Sequence, residues 1–599
     1  MPRSHANVPV ARGRASAIIG AALAAGFTSL SGQAQNPAHL GIEEYNGPAT
    51  CVACHAQQAR DMFHAVHYQL TGDTPNVPNI PGRAGKLDQA FNTYCGTPMS
   101  SRQFTCAACH GSYGKMPEPV LTQAQLENID CMMCHQDQYK RKAAPPVEEL
   151  TFVDYRGQPH TWRLPIEDPN GSFQFEPDAA NMTISVLEAA RTVHLPTRTS
   201  CLRCHATAGG GDGTKRGDLS SLSANPTTTL DYHMSPAGRN MSCQDCHEFQ
   251  NHRVLGRGLD LRENDRPESL TCLQCHPARP HNSTARDNHA ARIACQTCHI
   301  PTYAKGVSTE IARDWQVPVW AQPLLGGQGG YKPEETRGTD LKPTYHWFDG
   351  TSWVYILGQV PPQNAQGEYE LAYPYGWPTL AAAKLYPMKE HWSNSARHDA
   401  TGQLIPHSTF KFFVTGDFNQ AVADGQAWSG LTGSWTLVET HTFQTINHGV
   451  EPAGNALACG QCHAGFAGGP PRMNLVRDLG YGLKGALTQV CTQCHGYENP
   501  PSFSELHNKH VTDKRNDCRW CHNFSRPERG LRMPLHDRPG DLNCDGRVDF
   551  DDINPFVTAL SGQAGYYATY SCNWYNADCS GDGQVDFGDI NPFVGLLTR

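Results

Sequence analysis

The chain has 599 residues, with 48 Lys+Arg against 57 Asp+Glu and a formal charge of −9. That length allows several domains. The acidic balance argues against a nucleic-acid partner and favours a small basic protein that docks by charge complementarity.

Residues 1–34 have the layout of an export signal. Arg3, Arg12 and Arg14 precede an apolar stretch from Ala15 to about Leu30, and Gly32-Gln33-Ala34 resembles a small-residue cleavage site. The stretch is short for a membrane span, and no second candidate span follows. The expected mature protein is therefore exported, periplasmic or at the cell surface, and not transmembrane, with an uncleaved anchor as the alternative.

From residue 35 onward the chain is organised by one recurrent pattern, C-x-x-C-H, which takes up 20 of the 24 cysteines. Its ten copies are Cys51, Cys54 and His55; Cys106, Cys109 and His110; Cys131, Cys134 and His135; Cys201, Cys204 and His205; Cys243, Cys246 and His247; Cys272, Cys275 and His276; Cys295, Cys298 and His299; Cys459, Cys462 and His463; Cys491, Cys494 and His495; and Cys518, Cys521 and His522. This is the attachment sequence for c-type haem. Two thiols add across the porphyrin vinyl groups, and the adjacent histidine supplies one axial nitrogen. Zinc pairs or a disulfide framework would not require histidine after the second cysteine every time. Ten covalently bound haem c groups are expected, in a mostly α, loop-rich core with little strand whose short helices carry the motifs.

Residues 35–300 hold seven motifs. Residues 301–458 hold none but contain eight of the eleven tryptophans, too apolar for a linker, and are expected to pack on the haem core. Residues 459–530 hold the last three motifs. Over 540–599 the composition changes: Asp541, Asn543, Asp545, Asp549 and Asp552 recur 37 residues later as Asp578, Ser580, Asp582, Asp586 and Asp589. Oxygen side chains at loop positions 1, 3, 5, 9 and 12, with glycine at 6, suit an EF-hand-type calcium loop. Two copies predict a small α-helical paired module with two calcium ions. It resembles a dockerin-like module, which implies a cohesin-like or surface partner. Cys544, Cys572 and Cys579 lie in this segment, allowing one disulfide and leaving one thiol over.

Beyond the signal segment, eighteen histidines lie outside the motifs, enough to close every iron with a second imidazole. Plausible distal ligands are His67, His233, His252, His281, His289 and His448, with His507 or His510 for the C-terminal haems. Cys95 belongs to no motif. Lys215 sits in the glycine-rich frame Gly209–Leu219, which lacks Walker spacing and so is not a phosphate loop.

Residues of about 45–463 resemble the octahaem tetrathionate reductase family of multihaem cytochromes. The matching stretches are Phe63–Tyr68, Cys95, Gly209–Leu219, Leu230–Met234, Asn251-His252, Cys295–Thr302 and Ile446–Pro452. The resemblance implies a lysine-ligated haem with a cysteine beside it, and the positions that match are Lys215 and Cys95, serving the haem of Cys106–His110. It also implies tetrathionate, nitrite or hydroxylamine as the small inorganic substrate, with electrons from a cytochrome or quinol-linked donor. The motifs at Cys491 and Cys518 and the calcium module lie outside the resemblance. The rival reading is a non-catalytic electron conduit whose haems are all bis-histidine ligated.

Overall fold

Residues 301–458 are rich in Trp, Tyr, Phe, Val and Thr, the side chains that pack best on a pleated surface, and they build the largest regular element of the protein. The computed structural model describes residues 37–80, 82–86, 91, 93–94, 111–167, 173–256, 265–322, 324–364, 366–376, 380, 382–463, 471–473, 481–483, 505–506, 508–514, 522–524, 539–543, 547–570, 572, 574–580 and 585–597. The expected export signal, Cys95, the second motif and all of the ninth lie outside them. So does most of the tenth motif.

In chain order, helix α1 (Pro48–Phe63) carries the first motif. Hairpin strands β1 (Val147–Val153) and β2 (Pro159–Pro165) follow, then α2 (Arg198–His205) with the fourth motif. The sheet strands are β3 (Thr309–Ala321), β4 (Gly330–Gly338), β5 (Thr344–Phe348), β6 (Ser352–Val354), β7 (Tyr369–Pro374), β8 (Lys384–His398) and β9 (Trp435–Thr445). Between β8 and β9 run α3 (Thr409–Thr415) and α4 (Phe418–Ser429), capped by the side chains of Ser408 and Asp417. The C-terminal module holds α5 (Ile553–Leu560), α6 (Gln563–Thr569) and α7 (Ile590–Leu597).

The sheet has seven strands in the order β4-β3-β8-β9-β7-β6, with β5 also paired to β8. Pairing is antiparallel except at β7–β9 and β8–β3. This corrects the expectation of a mostly α core with little strand. The motifs do ride on short helices, but the motif-free segment folds as long strands. Strand β8 is 15 residues long and buries residues on both faces, Lys389 and His391 on one and Met388 on the other. Such a strand shows no simple polar–apolar alternation.

The sheet is tied to the haem-motif region by shared cores. Trp315, Tyr331 and Ala396 pack on Phe412 and Phe418 of α3 and α4. Trp162 and Leu164 of β2 pack on Phe410 and Val414. Val77, Ile80 and Ala84 pack on Val354, Ile356 and Ala372. The first of these cores packs the sheet on its own helices, whereas burying a side chain such as Val354 against Val77 and Ile80, worth about 1.5–3 kcal/mol, holds the sheet to the N-terminal region. The C-terminal module has its own core, in which Phe556 and Phe593, at equivalent repeat positions, stack 4.0 Å apart. Among the described residues no helix is long and apolar enough to cross a membrane.

Candidate functional site

One cavity of about 5050 Å³ runs through the molecule, and the two cysteines and the histidine of the first and the third to eighth motifs all line it. Ordinary ligand pockets hold about 300–1,000 Å³. None of these motif cysteines is in a disulfide. Thiols from different motifs meet within hydrogen-bonding reach, Cys51 with Cys131, Cys201 with Cys243 and Cys272 with Cys295. Attachment points for different porphyrins are thus in contact.

Each described motif histidine of these seven is faced by a second histidine. The ring centroids are 5.9 Å apart for His55 and His39, 6.4 Å for His135 and His252, 6.0 Å for His205 and His67, and 6.1 Å for His247 and His448. They are 6.1 Å for His276 and His233, 6.2 Å for His299 and His281, and 6.0 Å for His463 and His289. Two imidazole nitrogens on opposite sides of one metal, each bonded at ~2 Å, set ring centres ~6 Å apart. The spacing fits an iron between each pair, and the residues present therefore suit haem.

All six distal candidates from the core region face a motif histidine, and the structure adds His39. That residue precedes the first motif in a short 3-10 turn, Pro37–Gly41, with no motif to mark it. His507 lies outside the described residues. His510, in the π-helical turn Asn508–Asp513, bonds through Nδ1 to the Leu506 carbonyl.

The Nδ1 atoms of the paired histidines differ in their partners. Backbone carbonyls of His194 and Leu255 accept from His135 and His247. Carboxylates meet two more: Asp287 lies 3.2 Å from His281 and Asp218 3.0 Å from His448. The buried Nδ1 of His67 has no hydrogen-bond partner among the described residues.

Lys215 lines the same cavity, in a loop closed by bonds from its amide to the Ala208 carbonyl and from the Gly217 amide to the Gly213 carbonyl. Gly209, with φ +89°, allows that closure, because a Cβ there would fall 2.9 Å from the Lys215 Cβ. The Lys215 Nζ lies 5.5 Å from the Tyr94 ring. Tyr94 is the residue before Cys95, which itself lies outside the described residues.

A buried polar cluster that sequence reasoning missed holds this junction. Lys389 of β8 donates to the Thr214 and Lys215 carbonyls at 2.9 and 2.8 Å, to the Tyr94 hydroxyl at 3.0 Å and to the Thr309 hydroxyl at 2.7 Å. Burial pulls the Lys389 amine down to about 7, against the attraction of Glu310 and Asp218. His391 stacks on Tyr94 at 4.1 Å and bonds to Glu310. Arg313 pairs with Glu310 and donates to the carbonyls of Tyr94 and Gly209. Burial opposes ionisation of Glu310, but Arg313 and His391 outweigh it and keep the carboxyl low.

On the opposite side of β8, Glu390 accepts from His346 and His441, and His441 also bonds to Glu370. Burial alone would discharge His441, yet Glu370 and Glu390 raise it to about 10. Burial dominates at Glu370 and raises its carboxyl, whereas the two histidines hold Glu390 well below the usual range. The proton of this chain therefore rests on His441.

In the C-terminal module Asp541, Asp552, Asp578 and Asp589 are buried. Asp552 accepts the amides of Leu542, Asn543 and Asp549; Asp589 accepts those of Ser580 and Asp586. The residues at position 12 thus close their loops, and among the described residues no three acidic, histidine or cysteine side chains come together as a metal site. Asp545 and Asp582 lie outside the described residues. Cys572 is disulfide-bonded and Cys579 is not.

The family described as "Cytochrome c bacterial" matches residues 331–465. An uncharacterised protein of Archaeoglobus fulgidus is 30% identical over 255 residues, which are 37% of this chain and 79% of that protein. The crystal structure of octahaem cytochrome c from Shewanella oneidensis superposes with a TM-score of 0.55 at 26% identity, covering 72% of this chain and 94% of that one. With the motif-lined cavity and its covalently attached haem c, the chain belongs to the multihaem c-type cytochromes.

Proposed function

We propose that the protein is an exported reductase of tetrathionate, nitrite or hydroxylamine, working at a lysine-ligated haem on the second motif. The bound haems supply one-electron transfer and, at the lysine-ligated iron, one face for substrate. In this reading the histidine pairs described above close seven haems as electron carriers, and Lys215 closes the eighth. The last two motifs carry two further haems, with His507 or His510 as distal ligands, for exchange with a redox partner. Two calcium ions order the C-terminal module, which docks to a surface or a cohesin-like partner.

The observation that carries the reading is the meeting of Lys215 with Tyr94, the neighbour of Cys95. A lysine must lose its proton to bind iron, which from a pKa near ~10.4 costs about 4–5 kcal/mol at pH 7. A loop held by two hydrogen bonds from Lys389 to its Thr214 and Lys215 carbonyls has already lost much of its conformational freedom, which favours ligation. Cys95, as thiolate, would attack the central sulfur–sulfur bond of tetrathionate, forming a mixed disulfide as one thiosulfate leaves, and two electrons from the haems would release the second thiosulfate and restore the thiolate. The conduit reading draws on the seven histidine pairs, since six-coordinate irons carry electrons and bind no substrate.

Lys215→Ala separates the two. The reductase reading expects the spectrum of one haem to change and turnover of all three substrates to disappear while the other haems remain reducible. Wild-type turnover in this variant would remove Lys215 from the active site.

A further inference from the structure

Three residues beyond Lys215, the same loop reaches a second haem site. The carboxylate of Asp218, fully buried, accepts from His448 Nδ1 at 3.0 Å and from the amides of Asn447 and His448 at 2.9 and 3.1 Å. Arg216 donates to it through Nε and Nη2, each at 3.1 Å, and its Nη2 also lies 3.4 Å from His448 Nδ1. With Arg216 a permanent donor, the Nδ1 proton of His448 points at Asp218.

A carboxylate on the far nitrogen makes an axial imidazole a stronger electron donor, which stabilises ferric iron and lowers the potential. Carbonyl partners do this less, and His67 has no such partner among the described residues. Asp287 is a comparable group on His281, at the slightly longer distance of 3.2 Å.

We propose that Asp218 is a positioning residue that sets a potential: through His448 it lowers the potential of the haem on Cys243–His247 below that of the haem on Cys201–His205, whose facing His67 has no such partner among the described residues. This rests on the ligand assignments proposed above. The loop that presents Lys215 would then also fix the potential of a neighbouring carrier.

The test is a potentiometric titration of the holoprotein followed by electron paramagnetic resonance. Asp218→Asn should move one bis-histidine haem to a more positive potential and leave the others in place. Asp218→Glu should restore it. Arg216→Gln, which keeps the carboxylate and removes the competing cation, should move the same haem to a more negative potential, and it decides the matter if Asp218→Asn yields no holoprotein. Unchanged potentials in these variants would overturn the proposal. So would conversion of that haem to high spin in Asp218→Asn, which would mean that Asp218 only holds the ligand in place. His448→Ala tests the underlying assignment separately: it should make one haem high-spin, and if all stay low-spin, it is the ligand reading that fails.

Discussion

Replacing Lys389 with methionine removes a buried donor while keeping the side chain's length. The loss falls on the Lys215 loop, because the Thr214 and Lys215 carbonyls have Lys389 Nζ at 2.9 and 2.8 Å. A hydrogen bond from a charged group contributes about 1.5–3 kcal/mol, so two give about 3–6 kcal/mol. Relief of the cost of burying the lysine offsets part of this. A net loss of about 3 kcal/mol would raise the rate of local opening roughly a hundredfold. Hydrogen exchange of residues 208–218, read by mass spectrometry, should show that acceleration, while peptides of α3 and α4 exchange as before. The spectral signature of the lysine-ligated haem should weaken or split together with it. Unchanged exchange in the loop, with that signature intact, would refute the view that Lys389 staples Lys215 to the sheet.

Other outcomes follow from the same geometry. His39→Ala should convert one haem from low to high spin, seen as a change in the ferric absorption spectrum; no change would mean that another group closes the first haem. Raising the pH should weaken the sheet. His441 has a folded pKa of about 10 against an ordinary value of 6.5, so its stabilisation is complete below 6.5 and is lost as pH rises through 10. The sum is at most about 4–5 kcal/mol, and a thermal midpoint that is flat from pH 6.5 to 10.5 would contradict it. Chelating calcium should unfold residues 540–599 and expose Phe556 and Phe593 to protease, without altering haem reduction. Protection that survives chelation would show that the buried aspartates need no cation.

The haem sites were the most legible part of the chain, for a chemical reason. Covalent attachment demands two thiols and a histidine at fixed spacing, so the motif is local and needs no fold to be seen. The distal histidines are set by the fold, and only four of the six core candidates, His67, His233, His252 and His448, lie in stretches shared with a known family. His39 lies outside those stretches. The sheet was missed because a strand such as β8, buried on both faces, shows no alternation, and its tryptophans were read as haem packing. Lys389 was invisible for a related reason. In sequence it is one lysine in Tyr386-Pro387-Met388-Lys389-Glu390, and only the fold brings its amine to four acceptors, two of them carbonyls of the 209–219 loop. Lys215 stood out because glycines frame it, and those glycines let the loop turn back on its own side chain.

The central claim is that one haem differs in ligation from the rest. Near-infrared magnetic circular dichroism of the ferric holoprotein at low temperature reads axial ligands directly, because the charge-transfer band moves with ligand identity. The account predicts a dominant bis-histidine band from the seven pairs and a separate histidine–amine band of one haem, absent in Lys215→Ala. A single bis-histidine band for every haem, the same in wild type and variant, would contradict it and leave the protein an electron conduit.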